Sequence, residues 1–170
     1  MKNCILLIVL LIFATSFSQQ AEPKKAFLEK WENSRDYLIA MAELMPEQFY
    51  DFKPTVRQRS FKEQLLHIKD NMDWLSRTYF STEEYKRVKI DPEISKEGTI
   101  KLLTEAFNAS SEIIKKASKE ELQETVEFFA GSKSKLQILN LLQDHVTHHR
   151  GQLIVYLNLK GQEPPKYVGW

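Results

Sequence analysis

The chain has 170 residues, 42% of them hydrophobic and 28% charged, which is the balance of one globular domain and excludes a disordered or low-complexity segment. Lys plus Arg number 24 against 23 Asp plus Glu, and the cations form no stripe, which argues against a nucleic-acid partner. The single cysteine, Cys4, leaves no pair for a disulfide.

Residues 1–18 differ from all that follows. Met1-Lys2-Asn3 is short and basic, Ile5 to Phe13 is almost purely aliphatic, and Ser16-Phe17-Ser18 places small residues at cleavage spacing. This is the pattern of a secretory signal peptide, and the aliphatic run is shorter than the roughly 20 residues of a membrane-spanning helix. Cleavage near Ser18 or Gln19 is expected, leaving 19–170 as a periplasmic or extracellular domain without a stable membrane anchor. An uncleaved anchor is the rival reading. Cleavage removes Lys2 and no acid, so 24 cations become 23 against 23 acids and the mature chain is formally neutral. Cys4 leaves with the segment, so any site must be built from nitrogen and oxygen donors.

From Ala26 to Met45, Phe27, Trp31, Leu38, Met41 and Met45 fall at helical spacing, which predicts a first amphipathic helix ended by Pro46. Residues 46–59 carry two prolines and three aromatics without a period, and are expected to form a packed loop. Ser60-Phe61-Lys62-Glu63 has the form of a capping box, and Phe61, Leu65, Ile68, Met72, Leu75 and Tyr79 make the stripe of a second helix. Residues 82–98, charged and broken by Pro92, read as a connection. A third helix is expected from Thr99 to about Lys119, with Leu103, Ala106, Phe107, Ser110, Ile113, Ile114 and Ala117 on one side. Glu124 to Gly131 alternates like a short extended piece or hairpin. Ser134-x-x-Gln137 then caps a fourth helix with the stripe Leu139, Leu142, Val146, Leu153 and Tyr156. Gly151 lies inside that helix at a cost of about 1 kcal/mol relative to Ala; close approach of a neighbouring backbone is one reason to keep it. The result is an all-α chain, a four-helix bundle with a short extended segment before the last helix.

Chemistry concentrates in Asp144-His145-Val146-Thr147-His148-His149-Arg150-Gly151-Gln152. His145 and His149, four residues apart, point the same way from a helix and form the edge of a two-histidine metal site. The bland alternative is a pair of hydrogen-bonded core histidines, and His-x-x-x-His without the intervening Glu of a metalloprotease helix does not decide between them. His148 faces elsewhere and is left out. His67, at the margin of the second stripe, is the remaining histidine; alone it is a boundary residue, but a bundle can bring it beside the pair as a third nitrogen ligand. Glu63, Asp70 and Asp144 are near these ligands in sequence, yet none is placed by helical spacing as a general acid or base, so no catalytic residue is assigned.

Met45-Pro46-Glu47, Tyr50-Asp51-Phe52-Lys53-Pro54, Arg59 through His67, His145 through Gln152, and Pro164-Pro165-Lys166-Tyr167 together resemble the DinB-like, or YfiT-like, family of metal-dependent proteins. The resemblance runs through the mature chain. It implies a four-helix bundle in which one histidine of the second helix and two of the last bind a divalent ion, at the positions of His67, His145 and His149. Zinc and nickel both suit imidazole ligation. The family includes users of small thiols and hydrolases or isomerases of small molecules. Export counts against the thiol transferase, since small thiols are mainly cytosolic.

Two readings follow. One is an exported metal-dependent hydrolase or transferase acting on a small-molecule substrate; the other is a non-catalytic metal- or ligand-binding bundle. Self-association into a homodimer stays open in both. A deep apolar-walled cavity at the ion would favour the enzyme, a closed site the structural ion.

Overall fold

A computed structural model describes residues 22–168. The expected signal segment lies outside the described residues. Four helices carry the architecture: α1 (Pro23–Leu44), α2 (Phe61–Phe80), α3 (Lys96–Lys116) and α4 (Lys135–Leu159). Between α3 and α4 stand two minimal antiparallel strands, β1 (Thr125–Val126) and β2 (Lys133–Ser134), in the register Thr125 to Ser134 and Val126 to Lys133. No described helix is long and apolar enough to cross a membrane.

Helices α2 and α4 begin where their side chains satisfy the first free backbone donors. Ser60 Oγ accepts from the Glu63 amide while Glu63 accepts from the Ser60 amide, and Ser134 with Gln137 repeats the arrangement at α4. Helix α1 stops at Leu44, because Met45 is extended ahead of Pro46. Helix α3 departs from its expected bounds at both ends. Ser95 caps it through the Gly98 amide, starting it three residues early. At the other end Ala117 is extended, and Lys24 of α1 donates to the carbonyls of Lys115 and Ala117 at 3.2 and 2.7 Å, so the C-terminus is closed by a cation from another helix.

The predicted stripes form the core. Trp31, Leu38, Met41, Phe61, Leu65, Ile68, Met72, Leu75, Leu103, Phe107, Leu142, Val146 and Leu153 are buried. Trp31 lies against Phe107 and donates its indole N–H to the Phe107 carbonyl at 3.1 Å, joining α1 to α3. Helix α2 packs against α3 and α4, and so does α1, so the consecutive pair α1 and α2 sits across the bundle diagonal. That arrangement requires the connection 45–60 to cross the end of the bundle. Tyr50 anchors it by donating to the Ala42 carbonyl at 2.7 Å from a buried ring, as expected of a packed loop.

The seam that matters is α2 against α4, which run antiparallel: Gln64 meets Gln152 while His67 meets His145. At the far end of this seam the turn between β1 and β2 stacks Phe128 and Phe129 on Trp74. Gly151 departs from expectation. A Cβ there would meet nothing within 4 Å, so no neighbouring backbone approaches it, and nothing in the structure explains the glycine.

Candidate metal centre

His67 projects from α2, one turn beyond the capping box, and His145 and His149 project from successive turns of α4. The bundle brings all three together. Their ring centroids lie 4.9, 4.7 and 4.4 Å apart in the pairs 67–145, 67–149 and 145–149. One ring nitrogen from each falls within 4.8 Å of the others. The Nε2 atoms of His67 and His145 are 3.1 Å apart. Two nitrogens on one ion stand about 3.3–3.4 Å apart in tetrahedral and about 2.9–3.0 Å apart in octahedral geometry, given metal–nitrogen distances near 2.0–2.1 Å. The observed spacing falls between these two ligand edges and is also that of an N–H···N hydrogen bond between neutral rings.

Behind His149 lies a relay of amides. His149 Nδ1 is 2.8 Å from Gln64 Oε1. Gln64 Nε2 donates to Gln152 Oε1 at 2.7 Å and lies 3.4 Å from the Tyr156 hydroxyl, which itself donates to the Arg59 carbonyl at 2.7 Å. Both neighbours of Gln64 Nε2 therefore accept, which fixes the amide's orientation and makes Oε1 the acceptor facing His149. His149 then carries its proton on Nδ1 and keeps the Nε2 lone pair for the shared centre, the tautomer a metal ligand needs. Gln152 Nε2 continues to His148 Nε2 at 2.8 Å. His148 is exposed and stays outside the three-histidine cluster, as its helical position predicts, but it terminates this relay. His145 Nδ1, by contrast, is buried with no protein partner among the described residues.

Electrostatics keeps the three rings neutral. Burial, then the other histidines and Arg59, pushes His145 down to about 3. Burial and the same kinds of neighbour push His149 down to about 4. His67 is lowered too, by burial first and by Arg59 and Arg87, against the opposing pull of Asp70. Neutral imidazoles at physiological pH present lone pairs instead of repelling a cation. Donor type, spacing and protonation state thus fit a divalent ion.

His67 also lies in the wall of an open cavity of about 640 Å³ on the α2 side of the cluster. Charged side chains, not apolar ones, dominate that wall. The three carboxylates near the cluster in sequence are committed or distant: Glu63 caps α2 and pairs with Lys53 at 2.9 Å, Asp70 pairs with Arg87 at 2.6 Å, and Asp144 is exposed. None of the three stands as a free proton acceptor at the histidines. Sequence reasoning missed Gln64. Its signal was a polar residue inside the apolar stripe, three positions before His67.

Fold and site define an all-α bundle with a three-histidine cluster on the seam of two helices. The DinB family model matches residues 18–169, and the chain belongs to that family. Among solved structures it is similar to a DinB-like protein from Bacillus cereus, at 17% identity and a TM-score of 0.73 over 85% of this chain and 97% of that one. It is similar also to a DinB-like protein from Bacillus subtilis, at 18% identity and a TM-score of 0.69 over 84% of this chain and 96% of that one. A third, YfiT from Bacillus subtilis, is described as a probable metal-dependent hydrolase with an unusual four-helix bundle topology; it is 15% identical with a TM-score of 0.66 over 88% of this chain and 93% of that one. At these identities the likeness concerns the fold. No curated protein matches the chain.

Proposed function

We propose that this protein is an exported, divalent-metal-dependent enzyme, a hydrolase or transferase of a small molecule, with zinc or nickel held by His67, His145 and His149. The observation that carries the reading is the pair of facing Nε2 atoms at 3.1 Å on two different helices, completed by a third imidazole whose tautomer Gln64 sets. When bound, such an ion offers Lewis acidity at coordination positions that three ligands leave open. The protein's own part is to hold the three lone pairs convergent, to keep the rings unprotonated, and to leave an open cavity beside His67 for the substrate. The description of YfiT as a probable metal-dependent hydrolase points the same way.

Export rests on the sequence of residues 1–18. The rival is a non-catalytic metal-binding bundle, and the engagement of Glu63 and Asp70 with cations is the observation in its favour. The deciding experiment measures metal by mass spectrometry in the purified mature protein and screens the loaded form against small esters, amides and thiol-reactive electrophiles. Close to one ion per chain is expected, with turnover lost in His149→Ala. Metal without any metal-dependent turnover would move the assignment to the binding bundle. The mature N-terminus, read by mass spectrometry from the exporting cell, should lie near Gln19; intact Met1 in a membrane fraction would sink the cleaved signal.

A further inference from the structure

The cavity beside His67 has an uneven charge. Its wall contains four cations, Lys53, Arg57, Arg59 and Arg87, and two carboxylates, Glu63 and Asp70, a balance of four minus two, or +2. The carboxylates are spoken for. Lys53 takes Glu63 at 2.9 Å, and Arg87 takes Asp70 through Nε and Nη2 at 3.1 and 2.6 Å. Other cations at this end of the bundle are also engaged: Lys62 pairs with Asp51 at 3.1 Å, and Lys160 lies 3.5 Å from the centroid of the Phe52 ring. Arg57 and Arg59 have no carboxylate partner among the described residues. Two like charges two positions apart on one loop repel, and no described carboxylate pairs directly with either.

Arg59 is held in place by its backbone. Its carbonyl accepts the Tyr156 hydroxyl at 2.7 Å, and the next residue is the cap of α2, buried Ser60. The guanidinium is exposed, and its charge reaches all three histidine rings. An unpaired guanidinium on an anchored backbone at the mouth of a site suits a planar or tetrahedral oxyanion, which it can bind through two N–H groups. Glu63 is taken by Lys53, and Asp70 by Arg87 and Lys69, so both acids of this wall pair with cations other than the two arginines of the loop, Arg57 and Arg59.

We infer that the substrate of this site is an anionic small molecule, whose carboxylate or phosphate group pairs with Arg59, assisted by Arg57, while its reacting portion reaches the histidine cluster past His67. This rests on the enzyme reading proposed above and adds the substrate's charge. Arg59 is a binding residue here, with no part in bond making.

The test titrates succinate and, separately, inorganic phosphate into ¹⁵N-labelled protein at low salt, with metal content measured on every sample. Saturating shifts are expected in residues 57–67, with affinity at least tenfold weaker in Arg59→Gln and weaker to a lesser degree in Arg57→Gln. Lys101→Gln, on the exposed side of α3, should bind as the parent does. Circular dichroism confirms folding of each variant, and the more tightly bound of the two anions tells a carboxylate site from a phosphate site. Equal affinity in Arg59→Gln and the parent, absence of saturable binding, or shifts spread over the surface would each overturn the assignment. The two readings fail separately: parent protein without metal defeats the metal enzyme, whereas metal retained with Arg59-independent binding defeats the anion site alone.

Discussion

The Nε2 atoms of His67 and His145 face each other at 3.1 Å across the α2–α4 seam, although the residues are 78 positions apart in the chain. Two neutral imidazoles in that attitude can share one proton, but two protonated ones would repel. Acidification of the metal-free protein is therefore expected to be destabilising. All three rings have folded values below the unfolded histidine value near 6.5, so between those limits the unfolded chain binds more protons. Stability should be complete above about pH 6.5 and should fall as pH drops toward 4. Thermal melts of chelated protein across this window provide the check. Replacing His145 by Leu should flatten the slope, because it removes the most strongly depressed group.

Gln64 is expected to matter almost as much as a ligand. Its Oε1 holds His149 in the tautomer that frees Nε2, and loss of such an outer partner typically costs about 10–100-fold in metal affinity. Gln64→Ala should show this loss in a competition titration with a chromophoric chelator. His148→Ala should retain metal stoichiometrically, since His148 lies outside the three-nitrogen cluster and meets it only through Gln152 and an edge contact with the His149 ring at 4.9 Å between centroids. If Gln64→Ala binds as tightly as the parent, the amide relay has no role in setting the site.

Gly151 offers a prediction free of the metal. It is exposed within α4, its backbone does not take positive φ, and a Cβ would have open space. Gly151→Ala should therefore stabilise the protein by about 1 kcal/mol, or roughly 2–4 °C in melting temperature. A calorimetric scan settles it. A lower melting temperature would mean that the helix needs the glycine for something the folded monomer does not display.

The parts legible in sequence were those governed by local rules. Both capping boxes place the starts of α2 and α4, and the 3.6-residue stripes mark the buried faces. Helix α3 was misread at its ends for opposite reasons. Its start uses a lone Ser95 cap without the reciprocal Glu or Gln, a weaker local signal, and its end is closed by Lys24, which no local rule can connect to it. The site divides the same way. His145 and His149 were visible as a pair at one helical turn, whereas His67, a boundary residue when read alone, joined them only on the expectation that a facing bundle helix brings it beside the pair. The role of Gln64 depends on Gln152 and Tyr156 across the seam, and the unpaired state of Arg59 depends on where Asp70 and Glu63 find their partners.

Removal of the ion separates an enzyme's metal from a structural one. A purely structural ion contributes its binding free energy to folding, which can be several kcal/mol and a large part of a domain's stability. Here the three histidines sit on one seam, while the core of Trp31, Met41, Phe61, Ile68, Phe107 and Leu142 is buried without them. Both helices of the seam carry complete capping boxes, so neither needs the ion to start. Chelation is accordingly expected to leave the far-ultraviolet circular dichroism unchanged, to lower the melting temperature by only a few degrees, and to be reversed by adding back zinc or nickel. Loss of helical signal on chelation would show instead that the ion holds α2 to α4, and with no metal-dependent turnover in the loaded protein the enzyme reading would give way to a metal-stabilised binding bundle.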